Sequence, residues 1–93
     1  MEKEMLVVGM LKDGMFEKFM GFMQSDAGME ERKKIANVPK TIASVSPDKK
    51  VIMFKIFVHD EDALHNFFEN NEVSKPIVNE TMDSYTIYNL SKV

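Results

Sequence analysis

Between Val51 and Val58 the chain reads Val-Ile-Met-Phe-Lys-Ile-Phe-Val, a run in which only Lys55 is charged. The run follows the turn-forming Ser46-Pro47-Asp48-Lys49-Lys50 and stops at His59-Asp60-Glu61-Asp62, where acidic residues suit the start of a helix. Side chains alternate along a strand. Ile52, Phe54, Ile56 and Val58 therefore share one face, while Val51, Met53 and Phe57, with Lys55 among them, share the other. A chain of 93 residues has few helices with which to cover two apolar sheet faces. One face needs a cover from elsewhere, and a second copy of the chain would supply it.

The flanking segments read as partners of that strand. Met5 to Leu11 is a short apolar strand containing Gly9, which points to a bulge or a close backbone approach. Asp13 is the expected N-cap of a helix from about Gly14 to Gln24, on which Met15, Phe16, Phe19, Met20, Phe22 and Met23 form one stripe. Ser25-Asp26 breaks this helix and caps a short, highly charged one over Ala27–Ala36, anchored by Met29 and Ile35. Val38 to Val45 is predicted as an edge strand, irregular where Pro39 removes a donor, and it pairs with Val51–Val58 as a hairpin. Asp60 to Asn71 is the second main helix, with Leu64, Phe67, Phe68 and Asn71 on one face. Glu72 to Glu80 reads as a loop with a single helical turn, and Met82 to Leu90 as the last strand.

The order β-α-β-β-α-β predicts an α+β, ferredoxin-like domain spanning residues 1–93. Its antiparallel four-stranded sheet has strands one and three at the centre and both main helices on one face.

Composition narrows the function classes. The net charge of −3, with Lys and Arg scattered, leaves no basic stripe to neutralise phosphates, so nucleic acid is not an expected partner. The absence of cysteine excludes disulfides, thiolate metal sites and cysteine nucleophiles. No signal peptide and no run of about 20 apolar residues is present, so the expectation is a cytoplasmic protein without a membrane span. There is no spaced His/Glu metal motif, no phosphate loop and no nucleophile–base pair, so neither a metal nor a cofactor is expected.

Several stretches carry a resemblance to a known family. They are Phe16-Glu17-Lys18-Phe19, Ser25 to Ile35, the hairpin Ser46-Pro47-Asp48-Lys49-Lys50-Val51, and the strand-to-helix junction Val58-His59-Asp60-Glu61. In these and in element order the chain resembles the antibiotic biosynthesis monooxygenase-like group of dimeric α/β-barrel proteins, and within it the small uncharacterised bacterial members. The resemblance implies a homodimer built by packing two sheets face to face, with Val51, Met53, Lys55 and Phe57 in the interface. It also implies a cavity between each sheet and its helices for a small apolar or aromatic molecule, lined by Phe19, Met20, Met23, Phe54, Phe67 and Tyr85. Activities in the group range from cofactor-free oxygenation of aromatic polyketides to haem degradation, and other members are isomerases, dehydratases or proteins with no known activity. A cofactor-free monooxygenase or isomerase is thus one alternative to a binding protein, and a structural or regulatory interaction domain, whose apolar sheet face serves only association, is another. The haem-degrading branch uses a strand-one asparagine, a sheet tryptophan and a helix-two histidine. Only His65 matches here, since Met5–Leu11 has no asparagine and the chain no tryptophan.

The candidate proton handlers are His59, His65 and Tyr85. His65 lies beside the Leu64/Phe67/Phe68 stripe, where a half-exposed helix histidine is the structural reading and a cavity-mouth acid or base the functional one. His59 closes the third strand on the face of Lys55 and Phe57 and could serve at a cavity rim or simply end the strand. Tyr85 and Tyr88 fall on opposite faces of the last strand, one toward the helices and one toward the dimer. Lys55 either snorkels or pairs across the interface with an acid such as Asp83. Met5, Met10, Met15, Met20, Met23 and Met53 occupy core-like positions, giving an adaptable interior.

Overall fold

The structure is a computed structural model that describes residues 2–93. Its elements in chain order are β1 (Lys3–Leu11), α1 (Phe16–Gln24), α2 (Asp26–Ile35), a 3-10 turn (Val38–Lys40), β2 (Ile42–Val45), β3 (Val51–Val58), α3 (Glu61–Glu69), α4 (Lys75–Thr81) and β4 (Met82–Asn89). The strands form one antiparallel sheet in the order β2-β3-β1-β4, so β1 and β3 are central, as expected. Fold class and topology are those of a ferredoxin-like α+β protein.

Alternation along the central strands sets which side the core occupies. Met5, Val7 and Leu11 of β1 and Ile52, Phe54 and Val58 of β3 are buried toward the helices, with Ile56 packed beside them. Phe19 and Met23 of α1, Ile35 of α2 and Leu64, Phe67 and Phe68 of α3 complete this core. Burying one such large apolar side chain contributes roughly 1.5–3 kcal/mol, so this single layer carries most of the driving force.

Two glycines allow close packing. A β-carbon on Gly9 would lie 2.8 Å from Met82 Cε, and β4 shifts register beside it, where Leu11 pairs with Met82 and Met10 with Ser84. Gly28 of α2 sits against the backbone of Phe22 in α1. The two helices are joined by Ser25, whose hydroxyl donates to the Phe22 carbonyl at 2.6 Å and accepts from Gly28 N–H at 3.1 Å. The expected break and cap at Ser25-Asp26 are thus one residue doing two jobs.

Three boundaries differ from the sequence reading. Asp13 does not cap α1. Gly14 adopts a left-handed φ of 74°, which separates Asp13 from the helix, and Met15 takes the N-cap position without a side-chain bond. The first half of the expected strand Val38–Val45 is the 3-10 turn, with Pro39 in its opening positions, and β2 begins only at Ile42. The loop over Glu72–Glu80 contains a full helix, α4. Pro76 occupies its first turn, where a missing N–H leaves no bond unmade. Asn71 prepares that start, its Oδ1 accepting from Val73 N–H at 2.8 Å and Ser74 N–H at 3.1 Å. Ser74 is fully buried and donates to the Phe67 carbonyl at 2.6 Å.

Candidate functional site

The sheet and helices do not close completely. Between β1, β3 and the helices lies a cavity of about 50 Å³, walled by Val7, Phe54 and Ile56 from the sheet, Phe19 and Met23 from α1, and Leu64, Phe67 and Phe68 from α3. Ile35, Ala36, Val38 and Thr41 complete it near the 3-10 turn, together with Arg32 from α2. The partly exposed members of this wall, Arg32, Val38, Thr41 and Ile56, mark its mouth.

Four of the six expected lining residues meet here: Phe19, Met23, Phe54 and Phe67. Met20 packs against the core but outside the cavity wall. Tyr85 is turned away from it, stacked on Phe68 with ring centroids 4.4 Å apart. Desolvation, and then the nearby Glu69 carboxylate, make its hydroxyl less acidic than an ordinary phenol, so it keeps its proton at neutral pH. Tyr85 instead borders a more open recess of about 300 Å³ with Val78, Asn79, Met82, Asp83 and Ser84.

The histidines lie outside the cavity. His59 is exposed, and its Nε2 lies 3.0 Å from the Lys33 carbonyl oxygen. The strand ends at Val58, so this ring turns toward α2 rather than continuing on the face of Lys55 and Phe57. His65 is exposed, with Nε2 3.6 Å from Glu61 Oε2 one turn earlier on α3. Among the described residues no cluster of His, Asp and Glu could hold a metal ion, and no helix is long and apolar enough to cross a membrane.

Sequence reasoning missed Arg32. Within Glu30-Glu31-Arg32-Lys33-Lys34 it reads as one more solvated charge, yet its Nη1 donates to the Met23 carbonyl at 3.0 Å and contacts Met29 Sδ at 3.2 Å. Burial pulls the guanidinium's proton affinity below its ordinary value, though such a group stays charged at any physiological pH. The α-helical position i, i−3 relative to Ile35, a core residue, is the one signal that could have found it.

The second feature is the sheet face away from the helices. Leu6, Val8 and Met10 of β1, Val51, Met53 and Phe57 of β3, Ile42 of β2 and Tyr88 of β4 stand on it, as strand register requires. Ile42 is 58% exposed, Tyr88 50%, Met10 43% and Met53 38%. Met10 and Met53 are therefore surface residues, while Met82, absent from the expected core, is buried. Lys55 finds its acid within its own chain. Glu4 Oε2 lies 3.5 Å from its ammonium, the two residues being diagonal neighbours across the β1–β3 ladder. Lys40 Nζ stands 5.4 Å from the Phe57 ring centroid and bonds Glu2 at 3.0 Å, so that end of the face is charged and the rest apolar.

No family model matches the sequence and no curated protein matches it, but solved structures do. A protein described as an antibiotic biosynthesis monooxygenase superposes with a TM-score of 0.65 at 13% identity, over 97% of this chain and 97% of its own. An uncharacterised NIPSNAP domain protein from Burkholderia xenovorans gives 0.67 at 12%, over 97% and 93%. A Pseudomonas aeruginosa protein gives 0.64 at 11%, over 99% and 94%. The chain has the ferredoxin-like fold of these proteins. The group that the sequence resembles is thus represented among its structural neighbours, and at such identities the likeness is one of fold.

Proposed function

We propose that this chain is a homodimer joined through its apolar sheet face, in which each protomer holds a small apolar molecule between sheet and helices. The observation that carries the binding reading is the cavity at the sheet–helix junction, whose wall is apolar except for Arg32 and Thr41. Ligand sites are of this kind, mostly apolar with a few placed polar groups. Its present size suits part of an aliphatic chain. An apolar cavity of about 150 Å³ takes a benzene ring, so a ring, or the whole of a six-carbon chain, requires the Val38–Thr41 segment at the mouth to move.

The same geometry favours binding over catalysis. Cofactor-free oxygenation or isomerisation would need a proton-handling group facing the guest. His59, His65 and Tyr85 all lie off the cavity, and Arg32 does not release its proton near neutral pH. A second reading, an interaction domain without a ligand, draws support from the small cavity volume and from the exposure of both histidines.

Titration with 1-hexanol, followed by methionine-methyl NMR, separates the two. The expected result is a saturable shift of Met23, which lines the cavity, with Met10 and Met53 unmoved. Shifts absent at Met23, or confined to the sheet face, leave the interaction-domain reading standing.

A further inference from the structure

Arg32 is poorly accounted for by its own fold. The side chain is half-buried at the cavity mouth, and among the described residues no carboxylate lies within 4.0 Å of it, although the other cations of α2, Lys33 and Lys34, each pair with a glutamate. Its one protein oxygen is the Met23 carbonyl at 3.0 Å, a bond made by Nη1. A guanidinium carries five N–H donors in a planar fork matched to the two oxygens of a carboxylate. A half-desolvated cation costs free energy unless an anion answers it. The described residues supply none within 4.0 Å, while the cavity beside the group is walled mainly by apolar side chains.

Resting on the cavity as a binding site, we infer that its ligand is an amphiphilic acid: an aliphatic or ring body inside the cavity and a carboxylate at the mouth, received by Arg32. Thr41 stands at the same mouth and offers a hydroxyl to the head group. Phe54, Leu64 and Phe67 provide the apolar floor, where a charged head could not go. The polarity of the site thus runs from a cationic rim to an apolar interior, which orients the guest tail-first.

The alternative use of Arg32 is structural, as a tie from α2 to the end of α1. The two uses predict different responses to ligand charge, so hexanoate and 1-hexanol, identical in length, make the test. Binding is followed by the Met23 methyl shift, and stability is measured in parallel. In the unaltered protein hexanoate is expected to bind at least about tenfold more tightly than hexanol, the size of a charge-assisted hydrogen bond. Arg32→Met is expected to remove that preference while hexanol affinity stays within about twofold. Arg32→Lys, which keeps the charge without the fork and guards against a misfolded first variant, should retain part of the preference. Equal affinities for the two probes, or a hexanoate preference that survives Arg32→Met, overturn the acid assignment and leave the cavity as a neutral binding site. Failure of both probes to move Met23 overturns the assignment and the binding reading together.

Discussion

Gly28 of α2 abuts the Phe22 carbonyl of α1 so closely that a β-carbon there would overlap the oxygen and lie 2.9 Å from the carbonyl carbon. Alanine is ordinarily better than glycine in a helix by about 1 kcal/mol. Here the obstacle is backbone rather than the end of a flexible side chain, so the sign reverses. Gly28→Ala should lower stability by about 3 kcal/mol, measured by urea unfolding. A neutral or stabilising result would mean that α1 and α2 separate freely.

Phe57→Asp tests the sheet-face dimer. An aspartate at this position places a charge in the contact beside the Glu4–Lys55 pair and removes the ring under Lys40. Light scattering at micromolar concentration should give a dimer for the unaltered chain and a monomer, folded or not, for the variant. A monomeric unaltered chain defeats the dimer.

Both histidines should be dispensable to stability. His59→Ala and His65→Ala alter exposed side chains and should each change the unfolding free energy by no more than about 0.5 kcal/mol. A larger loss for His59 would assign real weight to its contact with the Lys33 carbonyl.

Glu31 gives the protein an acid-sensitive tie between α2 and the α3–α4 connection. Its Oε1 accepts from Asn71 Nδ2 at 2.6 Å and its Oε2 from Lys34 at 3.1 Å, and the side chain is only 12% exposed. The Asn71 bond first, and then Lys34, hold its pKa below the ordinary 4.5. A group more acidic folded than unfolded stabilises above its unfolded pKa, and that contribution disappears as pH falls through the lower folded value. Glu31→Gln should therefore cost about 1 kcal/mol at pH 6. The gap between variant and parent should narrow toward pH 3 in urea titrations, and a constant gap would show that the carboxylate charge is not what matters.

Periodicity made most of the fold legible. The two-residue alternation of Val51–Val58 assigns each side chain its face, because a strand offers no third choice, whereas the uniformly apolar Met5–Leu11 leaves Met10 looking like core although it is exposed. The α1 and α3 stripes followed from 3.6-residue spacing in the same way. What stayed hidden depended on tertiary placement. Pro76 reads as a breaker until Asn71 and Ser74 are seen to prepare a helix start just before it. Sequence alone leaves Lys55 either snorkelling or paired across an interface with an acid such as Asp83, because the β1–β3 register that brings Glu4 to it is not written in either strand alone. Arg32 was invisible for the same reason. Within its run of five charges only the i, i−3 spacing to Ile35 sets it apart, and that spacing does not say that it leans over a cavity.

Peroxide will tell apart the described methionines at the two extremes of exposure. Met10 and Met53 stand exposed on the sheet face, whereas Met5, Met23 and Met82 are buried. Oxidation turns a soft apolar thioether into a polar sulfoxide and proceeds fastest where the sulfur is reachable. A free protomer therefore takes its first oxygens on the very surface that a second copy would cover, and an assembled pair shields them. If the proposed pairing through this face holds, sulfoxide on Met10 and Met53 would become a chemical record of time spent unpaired, and each such oxygen would make later pairing harder.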